Sequence, residues 1–324
     1  MNKIILAVLV AFSSTARASE DVVVLGHTRT ADPGALKALE SVAPAAGLRM
    51  VDRILADERG LIDALLRGEI DVAIGSPVVA IAARAHGRPV VLVAGFAPSP
   101  ARILARKALG VERVADLSHR RVAVQRDGSA ELLLLSELRT ASLTWSEGRD
   151  ADVQLVHLAA ADLDPALRSG YVDAIVQQEP LAARALQAGY ANEIPHAAIE
   201  QLDALLTTEH AYAERRLLER LVRCLVDAGR LIEVHEELAR RGSDLALEHV
   251  LWRDEVRDLL GHSPIVYAIT PESVAATARL MLELGVGSLT AECAGCRTQD
   301  FVKLELLAQA VGARGAAPPS AGGR

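Results

Sequence analysis

The stretch Leu61–Gly87, LIDALLRGEIDVAIGSPVVAIAARAHG, constrains the fold more than any other part of the chain. Leu61, Ile62, Leu65 and Leu66 recur with the spacing of one helical face. Gly68, directly after Arg67, suits the left-handed position that closes a helix. Ile70, Val72, Ala73 and Ile74 form a short apolar run, as expected of a strand covered on both faces of a parallel sheet. Gly75-Ser76-Pro77 breaks that strand, and serine as N-cap with proline as first helical residue starts a second helix. The free N–H groups of that helix start then lie at the carboxyl end of a strand, where open α/β sheets bind ligands and an anion finds donors.

The same pattern recurs about a hundred residues on, in Asp164–Gly189, DPALRSGYVDAIVQQEPLAARALQAG. Gly170 precedes Asp173 by the same interval that separates Gly68 from Asp71, and Glu179-Pro180 stands one residue beyond the place of Ser76-Pro77. The interval is too long for a solenoid repeat. Two readings remain open on this pattern alone: two similar lobes that each offer a turn to a shared cleft, or ordinary βα turns within one doubly wound domain.

A length of 324 residues suits two ordinary domains or one large one. Aromatic residues make up only 3%, so Leu, Val, Ile and Ala must fill the core, and a pocket caged by several Trp or Tyr is disfavoured. A net charge of −7 and the lack of a basic stripe with interleaved aromatics argue against nucleic acid as a partner. Met1–Ala18 reads as a cleaved signal peptide: Lys3, an apolar stretch Ile4–Phe12, and the site Ala16-Arg17-Ala18. No later segment has the ~18 uninterrupted apolar residues of a membrane helix, so the expected protein is exported and not membrane-embedded. Cys293 and Cys296 form one C-x-x-C, which in an exported protein favours a local disulfide over zinc, a metal that needs four ligands. Cys224 falls on the apolar face of a long helix and reads as a small buried hydrophobe. No P-loop, G-x-G-x-x-G, H-E-x-x-H or Ser/His/Asp order stands in a fitting context, so no catalytic residue, metal ligand or cofactor is assigned.

Along the chain, Asp21–Leu25 reads as the first mature strand, with Gly26-His27-Thr28-Arg29-Thr30 as its turn. Asp32-Pro33 opens a helix to about Ala46, and Leu48–Ile54 is the second strand. Pro89–Phe96 is a buried strand, and Ala97–Pro100 is the first crossover between lobes. Val122–Val124 and Asp152–Leu158 are strands, with the helix Ala130–Leu138 between them. Ala191–Pro195 is the return crossover, and beyond it the pattern is read as helical: Ala213–Arg241, Leu245–Leu260, Pro271–Leu284 and Phe301–Val311. Gly312–Arg324 has too little apolar content to fold on its own.

The blocks GEIDVAIGSP, DLSHRRVAVQRDGSA and ALRSGYVDAIVQQEPLAARA, in that order behind a signal peptide, resemble the solute-binding proteins of ABC importers for nitrate, sulfonates and taurine. That group also includes a pyrimidine-precursor binding and synthase branch. The resemblance covers roughly Asp21 to Leu284 and implies an α/β chain of the type II periplasmic-binding-protein fold, two lobes with a hinge and a ligand cleft. It implies lobe one in residues 19–100, lobe two in 101–191, a return to lobe one with extra C-terminal helices in 192–290, and an extension with a flexible tail in 291–324. It further implies that His27-Thr28-Arg29 and Ser76-Pro77 face the ligand from lobe one. From lobe two, Gly128-Ser129-Ala130 would hold an anionic group, and Gln178 and Glu179 would form the last turn facing the cleft. The implied function is capture of a small anionic organic ligand, a sulfonate, nitrate or relative, by a periplasmic monomer that serves an ABC permease and performs no chemistry. The alternatives are a pyrimidine-precursor binding or synthase-type enzyme, and a sensing module for a membrane partner. The C-terminal part with Cys293 and Cys296 has no place in the family pattern.

Several of these residues also have ordinary structural readings. His27 caps a loop or donates to a ligand, and Arg29 is a surface arginine or a bidentate anion clamp. Ser76 and Ser129 are N-caps whose turns offer backbone N–H groups to a ligand. Glu179 repels an anion, so it either meets a ligand amine or bonds across the hinge. Asp71 and Asp173 read as structural, each with a backbone or arginine partner.

Overall fold

A computed structural model describes residues 20–197, 201–240, 269–289 and 298–315. Met1–Ala18, the helix expected at Leu245–Leu260, the Cys293/Cys296 pair and the end of the tail lie outside the described residues.

The chain builds two sheets. The first contains β1 (Asp21–His27), β2 (Leu48–Ile54), β3 (Val72–Gly75), β4 (Val90–Pro98) and β11 (Leu202–Thr208), in the order β2-β1-β3-β11-β4. The second contains β5 (Ala101–Arg106), β6 (Arg120–Val124), β7 (Trp145–Ser146), β8 (Val153–His157), β9 (Ala174–Gln178) and β10 (Ala191–Ile194), in the order β10-β5-β9-β6-β8-β7. In the first sheet β1 pairs in parallel with β2 and β3; in the second, β6 pairs in parallel with β8 and β9. Each sheet also takes one antiparallel strand delivered by a crossing: β5 beside β9, and β11 between β3 and β4. The helices are α1 (Pro33–Val42), α2 (Glu58–Leu66), α3 (Pro77–Ala85), α4 (Ser129–Thr140), α5 (Ala160–Ser169), α6 (Leu181–Gln187), α7 (Glu209–Glu214), α8 (Arg216–Arg240), α9 (Pro271–Leu284), α10 (Thr298–Phe301) and α11 (Glu305–Gly315). Among the described residues no helix is long and apolar enough to cross a membrane.

Local signals act as read from the sequence at several points. Ser76 caps α3, its hydroxyl accepting the Val79 N–H at 3.4 Å, with Pro77 as the first helical residue. Asp57 caps α2 through the Gly60 N–H at 2.6 Å. Cys224 is buried on α8. The repeated motif is matched atom for atom at its aspartates. Asp71 donates its N–H to the Val24 carbonyl (2.9 Å) and accepts the Val24 N–H on its carboxylate (2.7 Å). Asp173 does the same with Arg121, at 2.8 and 3.0 Å. In both lobes a carboxylate extends the ladder of a parallel strand just before the next strand begins, after a glycine with φ of 68° (Gly68) or 76° (Gly170) that only glycine adopts without strain.

Two expectations need correction. The segment after Ala191 is not a bare crossover followed by helices. Ala191–Ile194 is the edge strand β10, and Leu202–Thr208 is the buried strand β11 in the middle of the first sheet. LDALL is rich in helix formers, but a strand covered on both faces selects buried apolar residues whatever their intrinsic preference. Gly312 and its neighbours to Gly315 continue α11 rather than opening a tail.

The two crossings run side by side. Ser99 donates its N–H to the Gln201 carbonyl (2.9 Å), and the Ala101 N–H donates to Gln201 Oε1 (2.8 Å). Asp173 also holds Arg106 at 3.1 Å in a largely buried position. Replacing Asp173 by Ala strands the Arg121 N–H and the Arg106 guanidinium, and should cost about 1–3 kcal/mol in urea denaturation. Asp71→Ala, at an exposed position, should cost less; equal and negligible losses would contradict the role given to these carboxylates.

Candidate functional site

The turns after β3, β6 and β9 and the crossing at Ser99 approach one another between the two sheets, where Ser76, Gly128, Ser129 and Gln178 gather; His27, Thr28 and Arg29 bond only within the turn after β1 or not at all among the described residues. His27 ends β1 and is only 7% exposed; its Nδ1 meets its neighbour's carbonyl, Thr28 O, at 2.9 Å, and its Nε2 has no partner among the described residues. The Thr28 and Thr30 hydroxyls bond each other at 2.8 Å. Arg29 is exposed and makes no ion pair among the described residues, so it is not yet clamped to a partner in the chain. Pro77 begins α3 beside the fully buried Ser76.

Ser76 does not face an empty site. Glu58, in the first turn of α2, places one carboxylate oxygen 2.5 Å from the Ser76 N–H and the other 2.8 Å from its hydroxyl. The chain's own carboxylate thus takes the donors that the turn would offer an external anion. The same carboxylate reaches lobe two: a Cβ on Gly128 would lie 3.5 Å from Glu58 Oε2. Burial raises the Glu58 carboxyl above its ordinary range, and the Ser76 donors only partly oppose this.

On lobe two, Gly128 rather than Ser129 is the N-cap of α4, and it caps without a side chain. Ser129 is the first helical residue, so its hydroxyl is freed for another partner and accepts from Gln178 Nε2 at 3.2 Å. The same amide reaches Ser99 Oγ at 3.1 Å, and Gln201 Nε2 donates to the Ser129 carbonyl at 3.2 Å. Among the described residues no acceptor meets the N–H groups of Ser129 and Ala130. Glu179 is turned away from this cluster. Its carboxylate pairs with Arg102, which also holds Glu193 at 2.8 Å, and accepts the Ala183 N–H at 3.0 Å. The structure therefore brings Ser129 and Gln178 together and gives Glu179 its own cation within the second sheet.

Four participants were not found by sequence reasoning: Glu58, Ser99, Gln201 and Asp203. Asp203 lies on β11 and is 4% exposed. Burial first, and then the negative charge of Glu58, push its carboxyl well above the usual carboxylate range; the Ser99 side chain bonds it and opposes the shift. A lone Asp inside the apolar run LDALL was the available signal. Beside this cluster the gap widens into a cavity of about 660 Å³ lined from both lobes, by Glu58, Ile62, Val79 and His86 on one side and Asp127 and His157 on the other. This is within the ~300–1,000 Å³ range of small-molecule pockets.

The model of the family described as NMT1/THI5 like matches residues 46–223, more than half of the chain. The chain belongs to the NMT1/THI5-like family. A protein of Escherichia coli (strain K12) named for binding aliphatic sulfonates is 34% identical over 131 residues, which span 40% of this chain and 40% of that protein. The alkanesulfonate-binding protein SsuA from Xanthomonas axonopodis pv. citri, solved bound to MOPS, superposes with a TM-score of 0.63 at 22% identity, covering 90% of this chain and 98% of that one. The ligand-binding component of an ABC-type import system from Staphylococcus aureus, solved with zinc bound, gives 0.70 at 14% identity over 90% and 99%. The periplasmic aliphatic sulphonate binding protein SsuA from Escherichia coli gives 0.61 at 20% over 89% and 96%. At these identities the solved structures establish that this family member has the two-sheet binding-protein fold.

The raised carboxyls make a signed prediction. A carboxyl that keeps its proton to higher pH when folded contributes stability that is complete below the unfolded value, near ~4, and is lost as pH rises through the folded value. Asp203→Asn removes that loss. Its stability relative to the unaltered protein, from urea denaturation between pH 4 and pH 8, should therefore rise with pH; a flat difference would contradict the assignment.

Proposed function

We propose that the protein is the exported, periplasmic solute-binding component of an ABC importer, and that it captures a small organic anion of the sulfonate class in the gap between the two sheets. One observation carries this reading: in a member of this family, the start of α4, whose Ser129 and Ala130 N–H groups meet no acceptor among the described residues, is bonded through Gln178 and Gln201 to the turn after β9 and to both strand crossings, with a cavity lined by both lobes beside it. Those of Ser129 and Ala130 would receive the anionic end, since backbone donors at a helix start favour negative charge. Lobe one would not compete for that end, because Glu58 already occupies the Ser76 turn. The part of the ligand that faces Glu58 and Asp203 is then neutral or carries a positive nitrogen. Closure of the lobes would favour whichever ligand binds the closed form better, and no bond is made or broken. The mature chain would begin after Ala18, act as a monomer and deliver its ligand to a permease. The curated and solved relatives named above are binding proteins, which supports binding over synthase chemistry.

Thermal unfolding tests this directly. A panel of alkanesulfonates, taurine, nitrate, amino acids and pyrimidines should contain a sulfonate that raises Tm by about 5–10 °C at a hundredfold excess over its Kd. Ser129→Glu should abolish that rise with an unchanged circular dichroism spectrum. No stabilisation by any sulfonate would contradict the proposal.

A further inference from the structure

Beyond the two strand crossings, a third connection joins the lobes. After α8 the chain places α9 against α3 of lobe one and α4 of lobe two. It then returns to lobe one, where Lys303 donates its N–H to Leu92 O on β4 at 2.8 Å. The turn after α9, Val286–Ser288, contains Gly287, and this one residue touches both lobes. Its carbonyl lies 3.2 Å from Nε2 of His86 at the end of α3, and its N–H donates to Asp127 Oδ1, on the turn before α4, at 3.0 Å. Gly287 is held tightly against α3: its φ is 73°, and a Cβ there would lie 3.1 Å from the Ala82 Cβ and 3.0 Å from the Met281 Cε. A side chain here would be strained by the positive φ and would have to push the Ala82 Cβ aside by a few tenths of an ångström.

Asp127 is equally constrained. It has a φ of 59°, a left-handed conformation uncommon outside glycine, and Asp and Asn tolerate it better than most. Its N–H is accepted by Glu131 Oε2 at 2.6 Å, and the other oxygen of Glu131 meets His157 Nε2 at 2.6 Å. Asp127 directly precedes Gly128 and Ser129, so whatever fixes Asp127 fixes the start of α4.

We propose that the His86–Gly287–Asp127 chain is a tie that positions the start of α4 against lobe one, with Asp127 as a positioning residue for the ligand end of that helix. Its consequence for ligand affinity rests on the reading of the gap as the binding site. The tie holds the lobes near each other in this structure, where Glu58 of lobe one stands close to Gly128 of lobe two. A population held in the closed form raises apparent affinity in proportion. The exposed Arg139–Glu283 pair (2.8 Å) joins α4 to α9 at the surface and provides a control, because exposed ion pairs contribute little.

Asp127→Ala removes the acceptor; Asp127→Asn keeps an acceptor oxygen and tolerates the left-handed backbone. In the ligand-free full chain, hydrogen exchange of Leu132–Leu135 in Asp127→Ala should be about tenfold faster, as loss of one such bond implies. Small-angle scattering should show a larger radius of gyration. Asp127→Asn and Arg139→Ala should match the unaltered protein in both, and exchange of β8 (Val153–His157) should not change in any variant. Unchanged exchange and scattering in Asp127→Ala would overturn the tie, and so would acceleration spread equally into β8. With pentanesulfonate as probe, Asp127→Ala should bind about tenfold more weakly than Asp127→Asn. Failure of the unaltered protein to bind pentanesulfonate or any other sulfonate counts against the proposed function, while exchange and scattering still decide the tie.

Discussion

The proposed capture of a ligand depends on two extended crossings that lie side by side. Where Ser99 and Ala101 bond to Gln201, the chain passes from the first sheet to the second and back, and each passage delivers an antiparallel strand into the receiving sheet. Paired crossings permit rotation of the lobes about one line but resist sliding. They also bring the turns after β3, β6 and β9 close together, which is where an open α/β sheet presents backbone donors. The amides of Gln178 and Gln201 then join this hinge to the start of α4, so the element that would hold an anion is bonded to the element about which the lobes turn.

The charge in the gap is divided unevenly. Lobe one brings Glu58 and Asp203, both with carboxyls raised by burial. Burying a carboxylate is costly, and here the cost is met in part by hydroxyl and N–H donors rather than by an arginine. Lobe two matches Glu179 with Arg102, engages Asp127 with the Gly287 N–H and Glu131 with His157 and the Asp127 N–H, and among the described residues leaves the Ser129 and Ala130 N–H groups without an acceptor. The two faces are therefore not interchangeable. A ligand that fills the gap has to be unlike at its two ends, and the family resemblance to anion binders accounts for only one of those ends.

Much of the architecture was legible in the sequence. The stretch Leu61–Gly87 and its echo at Asp164–Gly189 correspond to the α2-β3-α3 and α5-β9-α6 units, and their aspartates make the same pair of backbone bonds in each. Strand β2 was readable to the residue, because a run bounded by Gly47 leaves little choice. Strand β11 was not, because Leu and Ala carry no strand signal and only its position between β3 and β4 selects the extended form. At the site, residue types at helix starts could be read, but partners distant in sequence could not. Glu58 lies 18 positions before Ser76, and nothing local foretells that its carboxylate folds back onto that turn. The equivalence drawn between Ser76-Pro77 and Glu179-Pro180 holds for chain position and fails for chemistry: Ser76 caps α3, whereas α6 starts after Pro180 and Glu179 joins an ion pair.

The central claim is that one ligand is shared by the strand ends of both sheets. The most direct measurement is a crystal structure of the complex with whichever compound stabilises the protein best. The account predicts the ligand in the gap, its anionic end on the Ser129 and Ala130 N–H groups and its other end beside Glu58 and Asp203. A ligand bound to one lobe alone, or outside the gap, would contradict it.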